Sequence, residues 1–278
     1  MTTATIVRPE YSTVRPTHRP GFTDLTRSEW TKLKTLRSTW WSLGAMIVLS
    51  VAFSIVACVV ETHDYLTMDP QTRAEYRQDT IGLILQPGVE FACLAVGVLG
   101  VMLIASEYST GMIRATTLAA PKRTSALLAK AASFAALVFV VSELVAIPCF
   151  FIGAAITSKH ASVSITDPTN IRAILAFGFY MAAIGVISLS VGTLVRHTAA
   201  GISLVLAMQF VLPGVLSLIP GSTGQHLANA LPFGANVIMG SGHDPSNVYT
   251  PLQGLLILLT WTIVLGGAAL ATIKRRDV

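Results

Sequence analysis

Six long apolar stretches constrain the fold of this chain more than any other feature of its sequence. A helix needs about 20 consecutive apolar residues to cross the hydrocarbon core of a bilayer. Six stretches meet this requirement: residues 40–60, 88–106, 124–156, 171–195, 199–219 and 252–273. None of them alternates between apolar and polar residues as the strands of a membrane barrel do. Only 12% of the residues are charged, against about 25% in soluble domains. The sequence therefore predicts an all-α integral membrane protein with six transmembrane helices.

The basic residues divide unequally between the segments that connect these stretches. If the N-terminus is cytoplasmic, 15 of the 19 Lys and Arg residues lie inside. The four on the outside are Arg73, Arg77, Lys159 and Arg172. Cytoplasmic segments of membrane proteins carry such an excess of Lys and Arg. We therefore expect both termini in the cytoplasm and residues 61–87, 157–170 and 220–251 outside.

Several kinds of site are missing from the sequence. No Gly is followed by Lys, so the phosphate-binding loop of nucleotide hydrolases is absent and the chain itself is not expected to be an enzyme. Gly201 and Ser203 match part of a serine-protease motif, but no histidine lies in an apolar stretch to serve as the base. Cys58, Cys93 and Cys149 lie in apolar stretches and are expected to pack as small apolar residues, without a metal or another cofactor. The pI of about 9.3 comes from basic residues beside the apolar stretches, which favours lipid headgroups as partners over nucleic acid.

The chain divides into a short tail and one membrane domain. Residues 1–22 contain three prolines and show no apolar periodicity, which is typical of disordered segments. They are predicted to be a disordered cytoplasmic tail. The first apolar stretch begins only near residue 40 and lacks a small-residue cleavage pattern after it, so no cleavable signal is expected. Residues 23–278 are predicted to form a single six-span domain.

The residues just before the first apolar stretch are predicted to form a short helix at the membrane surface. Thr26 and Glu29 have the spacing of a capping box. Trp30 follows them, and Lys32 and Arg37 can reach lipid headgroups. A basic amphipathic helix that carries Trp lies in the interface of a bilayer. The alternative is a simple cytoplasmic extension of the first span.

The segment from Glu107 to Lys130 is longer than a turn between two antiparallel helices requires. Gly111 permits a bend, residues 111–118 can form a short helix, and Pro121 ends that helix. The additional length predicts a docking surface for another protein.

The segment at 220–251 contains an apolar piece that is too short to cross a bilayer. This piece, residues 227–239, has Pro232 and Gly234 in its middle. Such lengths are typical of re-entrant or interfacial segments. A broken backbone at membrane depth must be covered by protein or face a water-filled cavity, so the piece is expected beside an exit route or as a lid over the helices.

Two features of the apolar stretches concern packing and polarity. Gly178, Gly185 and Gly192 recur every seven residues on one helix face, where small residues allow a neighbouring helix to approach closely. Glu143 is expected about 20 Å into the bilayer from Lys130. A carboxylate at that depth is either functional or a structural hydrogen-bonding group.

These segments together resemble the membrane subunits of ABC exporters of the type-2 permease (ABC-2) class, most of all those of actinobacterial type. The resemblance is carried by SEWTKLKTLRSTWW at 28–41, by the segment 105–130, by the broken segment before the last apolar stretch and by the basic ending at 274–278. Its most specific parts are the spacing of Glu107 and Gly111 and the spacing of Pro121, Arg123 and Lys130.

The resemblance implies a division of labour between this chain and a separate ATPase. In that family the helix before the first span is an interfacial elbow helix, and the loop between spans two and three carries a cytoplasmic coupling helix that contacts the ATPase. The residues implied in ATPase coupling are Glu107, Gly111, Arg114, Pro121, Arg123 and Lys130, with Glu107 bracing the loop through Arg114. Those of the elbow helix are Glu29, Trp30, Lys32 and Arg37.

The resemblance also implies a place in the bacterial plasma membrane, partners and a function. The partners are ATPase subunits that bind ATP and Mg²⁺, membrane lipids, and a second copy of the chain or a close homologue. The function is export of a hydrophobic or amphipathic compound, such as a drug, a lipid-like compound or a peptide, with Glu143 as a candidate for the pathway. The alternative is a non-transport membrane module, either an anchor or immunity-type protein or an unrecognised intramembrane enzyme.

Overall fold

The computed structural model describes residues 21–111, 123–242 and 248–275, and every regular element in these ranges is helical. Six helical stretches are long and apolar enough to cross a membrane. They are Arg37–Asp64, Thr80–Ser109, Thr124–Thr157, Pro168–Val195, Thr198–Ser217 and Pro251–Arg275. The six predicted spans are therefore confirmed, and the chain is a multi-pass membrane protein. Of the tail predicted at residues 1–22, residues 1–20 lie outside the described residues.

The first two helices are separated at Leu36. Helix α1 spans Phe22–Thr35 and helix α2 spans Arg37–Asp64, and between them Leu36 has an extended backbone with φ −76° and ψ 120°. The indole Nε1 of Trp40 donates a hydrogen bond to the carbonyl of Lys34 at 2.9 Å, across this break. A separate helix thus precedes the first span, in place of an unbroken extension of it.

The predicted capping box at Thr26 and Glu29 is wrong, because α1 begins earlier in the chain. Gly21 is the N-cap, and its N–H donates to Oδ2 of Asp24 at 2.9 Å. Thr26 lies inside the helix, where its hydroxyl donates to a carbonyl of the preceding turn at 2.9 Å. Glu29 is buried, and its carboxylate pairs with Lys32 on the same helix and with Lys130 on another helix instead of capping α1.

A short helix leads into the second span. Helix α3 spans Pro70–Gln78, and Oδ1 of Asp69 caps it by accepting the N–H groups of Gln71 and Thr72 at 2.9 and 3.1 Å. Helix α4 then spans Thr80–Ser109. The second span is therefore longer than the predicted stretch 88–106.

Helix α5 spans Arg123–Thr157 and helix α6 spans Pro168–Val195. Helices α4 and α6 form the centre of the bundle. In the most apolar part of each span, 67% of the residues of α4 and 72% of those of α6 are buried, against 17% in the fifth and sixth spans. Helix α2 packs against α4, and α5 packs against α6. Helices α4 and α6 are therefore the most buried of the six spans.

Small residues allow α4 and α6 to approach closely. A Cβ added at Gly100 in α4 would lie 2.7 Å from the carbonyl oxygen of Gly185 in α6. A Cβ at Gly192 would lie 3.1 Å from the backbone of Val101. Gly178 faces α5 in the same way. The predicted close packing along this face of the fourth span is confirmed.

The fifth span is not a continuous α-helix. It consists of α7, Thr198–Leu206, a π-helical turn, Ala207–Val211, and α8, Leu212–Ser217. Pro213 has no N–H to donate to the carbonyl of Gln209, so the regular α-helical bond is lost at this point. Single π-helical turns inside helices occur frequently at functional sites.

The segment before the last span is broken and covered by protein. Helix α9 spans Ser222–Asn229, a 3₁₀ helix follows at Pro232–Met239, and the last span is α10, Pro251–Arg275. The 3₁₀ helix packs against α4, α6 and α10, and six of its eight residues are buried. Its backbone is thus covered by protein, as is expected of a broken segment at membrane depth.

Replacing Gly100 with Val should destabilise the protein, because the new side chain has no room between α4 and α6. Overpacking of this kind costs about 1–3 kcal/mol, which should lower the melting temperature in detergent by several degrees. Gly44→Val in α2 is the matched control, since a Cβ there meets no atom within 4 Å. Equal melting temperatures for the two variants would contradict the close packing.

Candidate functional site

Three helices bring charged side chains together at the end of the bundle where α1 lies. Lys130, in the first turns of α5, places its Nζ 2.6 Å from Oε2 of Glu29 on α1. The same Nζ is 2.7 Å from Oε1 of Glu107, in the last turn of α4. One ammonium group therefore joins three helices that are far apart in the sequence.

Lys32 adds a second positive charge to this group. Its Nζ lies 2.6 Å from Oε1 of Glu29 and 3.3 Å from Oε1 of Glu107. The four side chains Glu29, Lys32, Glu107 and Lys130 are named the ion-pair cluster below. Two carboxylates face two ammonium groups, so the cluster carries no net charge.

The ion-pair cluster is largely removed from water. Glu29 is 4% exposed, Glu107 6% and Lys130 6%, while Lys32 is half-buried. Desolvating charged groups is expensive, and only close pairing compensates for it. Loss of a single partner would leave an uncompensated charge at this position.

The charges within the cluster shift the pKa values of Glu29 and Lys32, its two members on α1. Burial opposes ionisation of Glu29, but the neighbouring Lys130 and Lys32 more than offset this and hold the pKa of Glu29 below its ordinary value. Burial likewise opposes the charge on Lys32, and its bonds to Glu29 and Glu107 raise the pKa above the ordinary value. The stabilisation by Glu29 is therefore present at neutral pH and is lost as the pH falls through its lowered pKa.

A cavity of about 360 Å³ lies beside the cluster. Its walls combine the four charged side chains with Leu33 of α1 and Leu103 of α4. The chain leaves α4 next to this cavity at Gly111, which is exposed and has φ +70°. It returns at the start of α5, shortly before Lys130. The ion-pair cluster therefore holds together the two helix ends between which residues 112–122 run.

A second contact ties the end of α6 to the same region. Arg196 ends α6 with a left-handed backbone, φ 59°, and its guanidinium lies 5.1 Å from the ring centre of Tyr108 in α4. Cations are attracted to the faces of aromatic rings at such distances. This contact was not predicted from the sequence, because it joins residues from different spans.

The structure brings together only some of the residues predicted for coupling. Glu107 and Lys130 lie in one cluster, but the described partners of Glu107 are Lys130 and Lys32. Arg114, the predicted partner of Glu107, lies outside the described residues. Pro121 also lies outside them, as do all residues of the short helix predicted at 111–118 except Gly111. Arg123 is the first residue of α5.

The residues predicted for the elbow helix have different surroundings. Glu29 and Lys32 belong to the ion-pair cluster, whereas Trp30 is half-buried with the ammonium of Lys34 5.3 Å from its ring centre. Arg37 is exposed at the start of α2. The pairing of Glu29 with Lys130 was not predicted from the sequence. The one usable signal was that Glu29 lies one helical turn before the apolar Leu33, which places both residues on the same face of α1.

Glu143 lies apart from this site. It is half-buried on α5, about 20 Å along the helix from Lys130, and its Oε1 packs so closely against Gly178 of α6 that a Cβ there would collide with it. The carboxyl group therefore faces the neighbouring helix α6.

No protein-family model matches this chain, and no curated protein matches it. The inference of its function therefore depends on its own residues and fold.

Replacing Lys130 with Met should strongly destabilise the packing of α1 against α4 and α5, because two buried carboxylates would then share only Lys32. Breaking a buried pair by removing one partner costs about 3–5 kcal/mol. Unfolding by denaturant in detergent micelles would measure the loss. Lys159→Met, at an exposed position, is the control with the same change of side chain. A Lys130 variant as stable as this control would show that the cluster does not hold the helices together.

Proposed function

We propose that this chain is the membrane-spanning subunit of an ATP-driven exporter of the ABC-2 type, and that residues 112–122 dock onto a separate ATPase. The observation that carries the proposal is the ion-pair cluster, which fixes α1, the end of α4 and the start of α5 around this segment. A simple turn between two antiparallel spans needs neither the length of the segment nor such a brace.

The cluster is suited to transmit a movement of the segment into the bundle. A partner that pushes on residues 112–122 acts on the end of α4 and the start of α5 together, because Lys130 binds Glu107 and Glu29 at once. Helix α4 is in turn packed along α6 at the centre of the bundle. Rigid helices and packed contacts of this kind carry coupling between distant sites.

The charge distribution supports a cytoplasmic position for this end of the bundle. In the described residues, the end that carries α1 holds Arg27, Lys32, Lys34, Arg37, Lys130, Arg196, Lys274 and Arg275. The opposite end holds Arg73, Arg77, Lys159 and Arg172. The excess follows the rule for cytoplasmic segments, which supports a plasma membrane protein with both termini inside.

The exposed aromatic residues near the break at Leu36 support α1 as an interfacial elbow helix. Trp40 is 59% exposed and Trp41 81% exposed. Tryptophan is enriched at the level of the lipid headgroups, where its ring has apolar and polar neighbours. Helix α1 would then lie along the cytoplasmic surface, with Glu29 and Lys32 turned toward the bundle.

The remaining parts of the machine come from partners. The fifth and sixth spans bury few residues within this chain, which leaves them free to face lipid or a second copy of the chain or a close homologue. ATP and Mg²⁺ would bind to the ATPase subunits. Glu143, at the contact between α5 and α6, remains a candidate for the export pathway.

The proposal is tested by purifying the tagged chain from its own host, with and without residues 112–122 replaced by a Gly/Ser linker of equal length. We expect the unaltered chain to bring down a protein with a phosphate-binding loop and measurable ATPase activity, and the altered chain to bring down neither. Replacement of residues 243–247 by the same kind of linker is the control.

Both replaced chains should remain monodisperse with unchanged melting temperatures, which separates loss of docking from loss of folding. Absence of any ATP-hydrolysing partner from the unaltered chain would defeat the proposal and favour a non-transport membrane module.

A further inference from the structure

A polar cavity of about 350 Å³ lies toward the end of the bundle opposite to the ion-pair cluster. It is bounded by α4, the π-helical turn of the fifth span and the broken segment before α10. Its polar lining consists of Glu90, Tyr180, Gln209, Asn229 and Asn236. This space, called the polar cavity below, is within the volume range of small-molecule sites.

The hydrogen bonds around Gln209 leave an acceptor unused. Gln209 is only 9% exposed, and its Nε2 donates to the backbone carbonyl of Glu90 at 2.6 Å. That bond fixes the orientation of the amide, so Oε1 is the remaining group. Oε1 is buried and accepts no hydrogen bond from any described residue. A buried acceptor without a donor is costly, so a small shift of this side chain that brings Oε1 to a donor in the polar cavity would be favourable.

Glu90 is exposed within this chain and lines the polar cavity, so its carboxylate is open to a ligand. Glu90 lies about 15 Å along α4 from its start, within the apolar part of the helix, and makes no ion pair with a described residue. The lining of the polar cavity includes no Lys or Arg among the residues that the structure describes. Ionisable groups inside membrane spans are rare and mark sites for substrates or ions.

Two donors in and beside the polar cavity, Tyr180 and Trp261, are engaged with the protein. The hydroxyl of Tyr180 donates to the carbonyl of Phe233 at 2.9 Å, and the indole of Trp261 donates to the carbonyl of Ala230 at 2.8 Å. These bonds hold the broken segment in place as the roof of the cavity. The roof is therefore held in place by the protein itself, the Glu90 carboxylate is open to accept from a ligand, and the Gln209 oxygen lies just behind the wall.

Apolar groups make up the rest of the wall. Phe210 and Pro213 come from the fifth span and Phe233 from the roof. Aromatic rings attract cations as well as apolar groups. The combination favours a ligand that joins a positive charge with N–H donors to an apolar body.

We infer that the polar cavity binds the protonated amine of an amphipathic organic compound, with the Glu90 carboxylate, and Gln209 Oε1 after a small shift of its side chain, accepting hydrogen bonds from the ammonium group. The inference rests on the proposed function, since it names the chemical class of the exported substrate. It also assigns a role to Gln209 and to the π-helical turn that carries it.

The test measures equilibrium binding to the full chain in phosphatidylcholine nanodiscs, without ATP or any partner. The probes are monodansylcadaverine, a fluorescent primary amine that is protonated at neutral pH, and its N-acetyl derivative, which has no charge. We expect saturable binding of the amine above that of empty nanodiscs and binding at least about tenfold weaker for the acetylated probe, because a charge-assisted hydrogen bond is lost.

Glu90→Gln should weaken binding of the amine about tenfold or more and leave the acetylated probe unaffected. Glu75→Gln on α3 makes the same change at a surface position and should bind both probes as the unaltered chain does. The comparison of the two probes on the unaltered chain needs no variant and decides the matter even if a variant fails to fold.

Equal affinity for the two probes, absence of saturable binding, or full binding of the amine by Glu90→Gln would overturn the inference. None of these outcomes depends on the ATPase. A chain that binds the amine but brings down no ATPase would contradict only the proposed coupling.

Discussion

Burial of charged groups at the edge of a membrane constrains this structure more than any other single interaction. Glu29 and Glu107 are withdrawn from water, and their charges are tolerable only because Lys130 and Lys32 lie within ion-pair distance of both. A buried pair adds little net stability over apolar packing, yet its geometry is demanding. The cluster therefore specifies how α1 docks and where residues 112–122 begin and end.

Helix α4 connects this cluster to the polar cavity. It carries Glu107 at one end and Glu90 toward the other, about 25 Å apart along the helix, and between them its Gly100 packs closely on Gly185 of α6. A displacement of the end that carries Glu107 would then be carried along α4 to the wall of the cavity, which is the kind of link that an ATP-driven exporter requires.

The spans were predictable from the sequence because bilayer thickness sets a length that few other structures share. The glycine contacts of α6 were predictable for a similar reason, since their repeat is local. The ion-pair cluster was not, because Glu29 and Lys130 are 101 positions apart and a plausible local capping pattern at Thr26 and Glu29 competed with the tertiary one. Gln209 was also missed, although a lone amide shortly before a proline in an apolar stretch is a usable signal.

The central claim, that the ion-pair cluster holds the segment at 112–122 for an ATPase, is tested most directly by exchanging its charges. The measurement is the ATPase activity that co-purifies with each chain from its own host. Glu107→Lys alone leaves three cations facing one carboxylate and should abolish this activity, whereas Glu107→Lys combined with Lys130→Glu restores two charges of each sign and should recover most of it. Equal ATPase activity with the Glu107→Lys chain and the unaltered chain would contradict the claim. So would a folded double variant in which the activity does not recover.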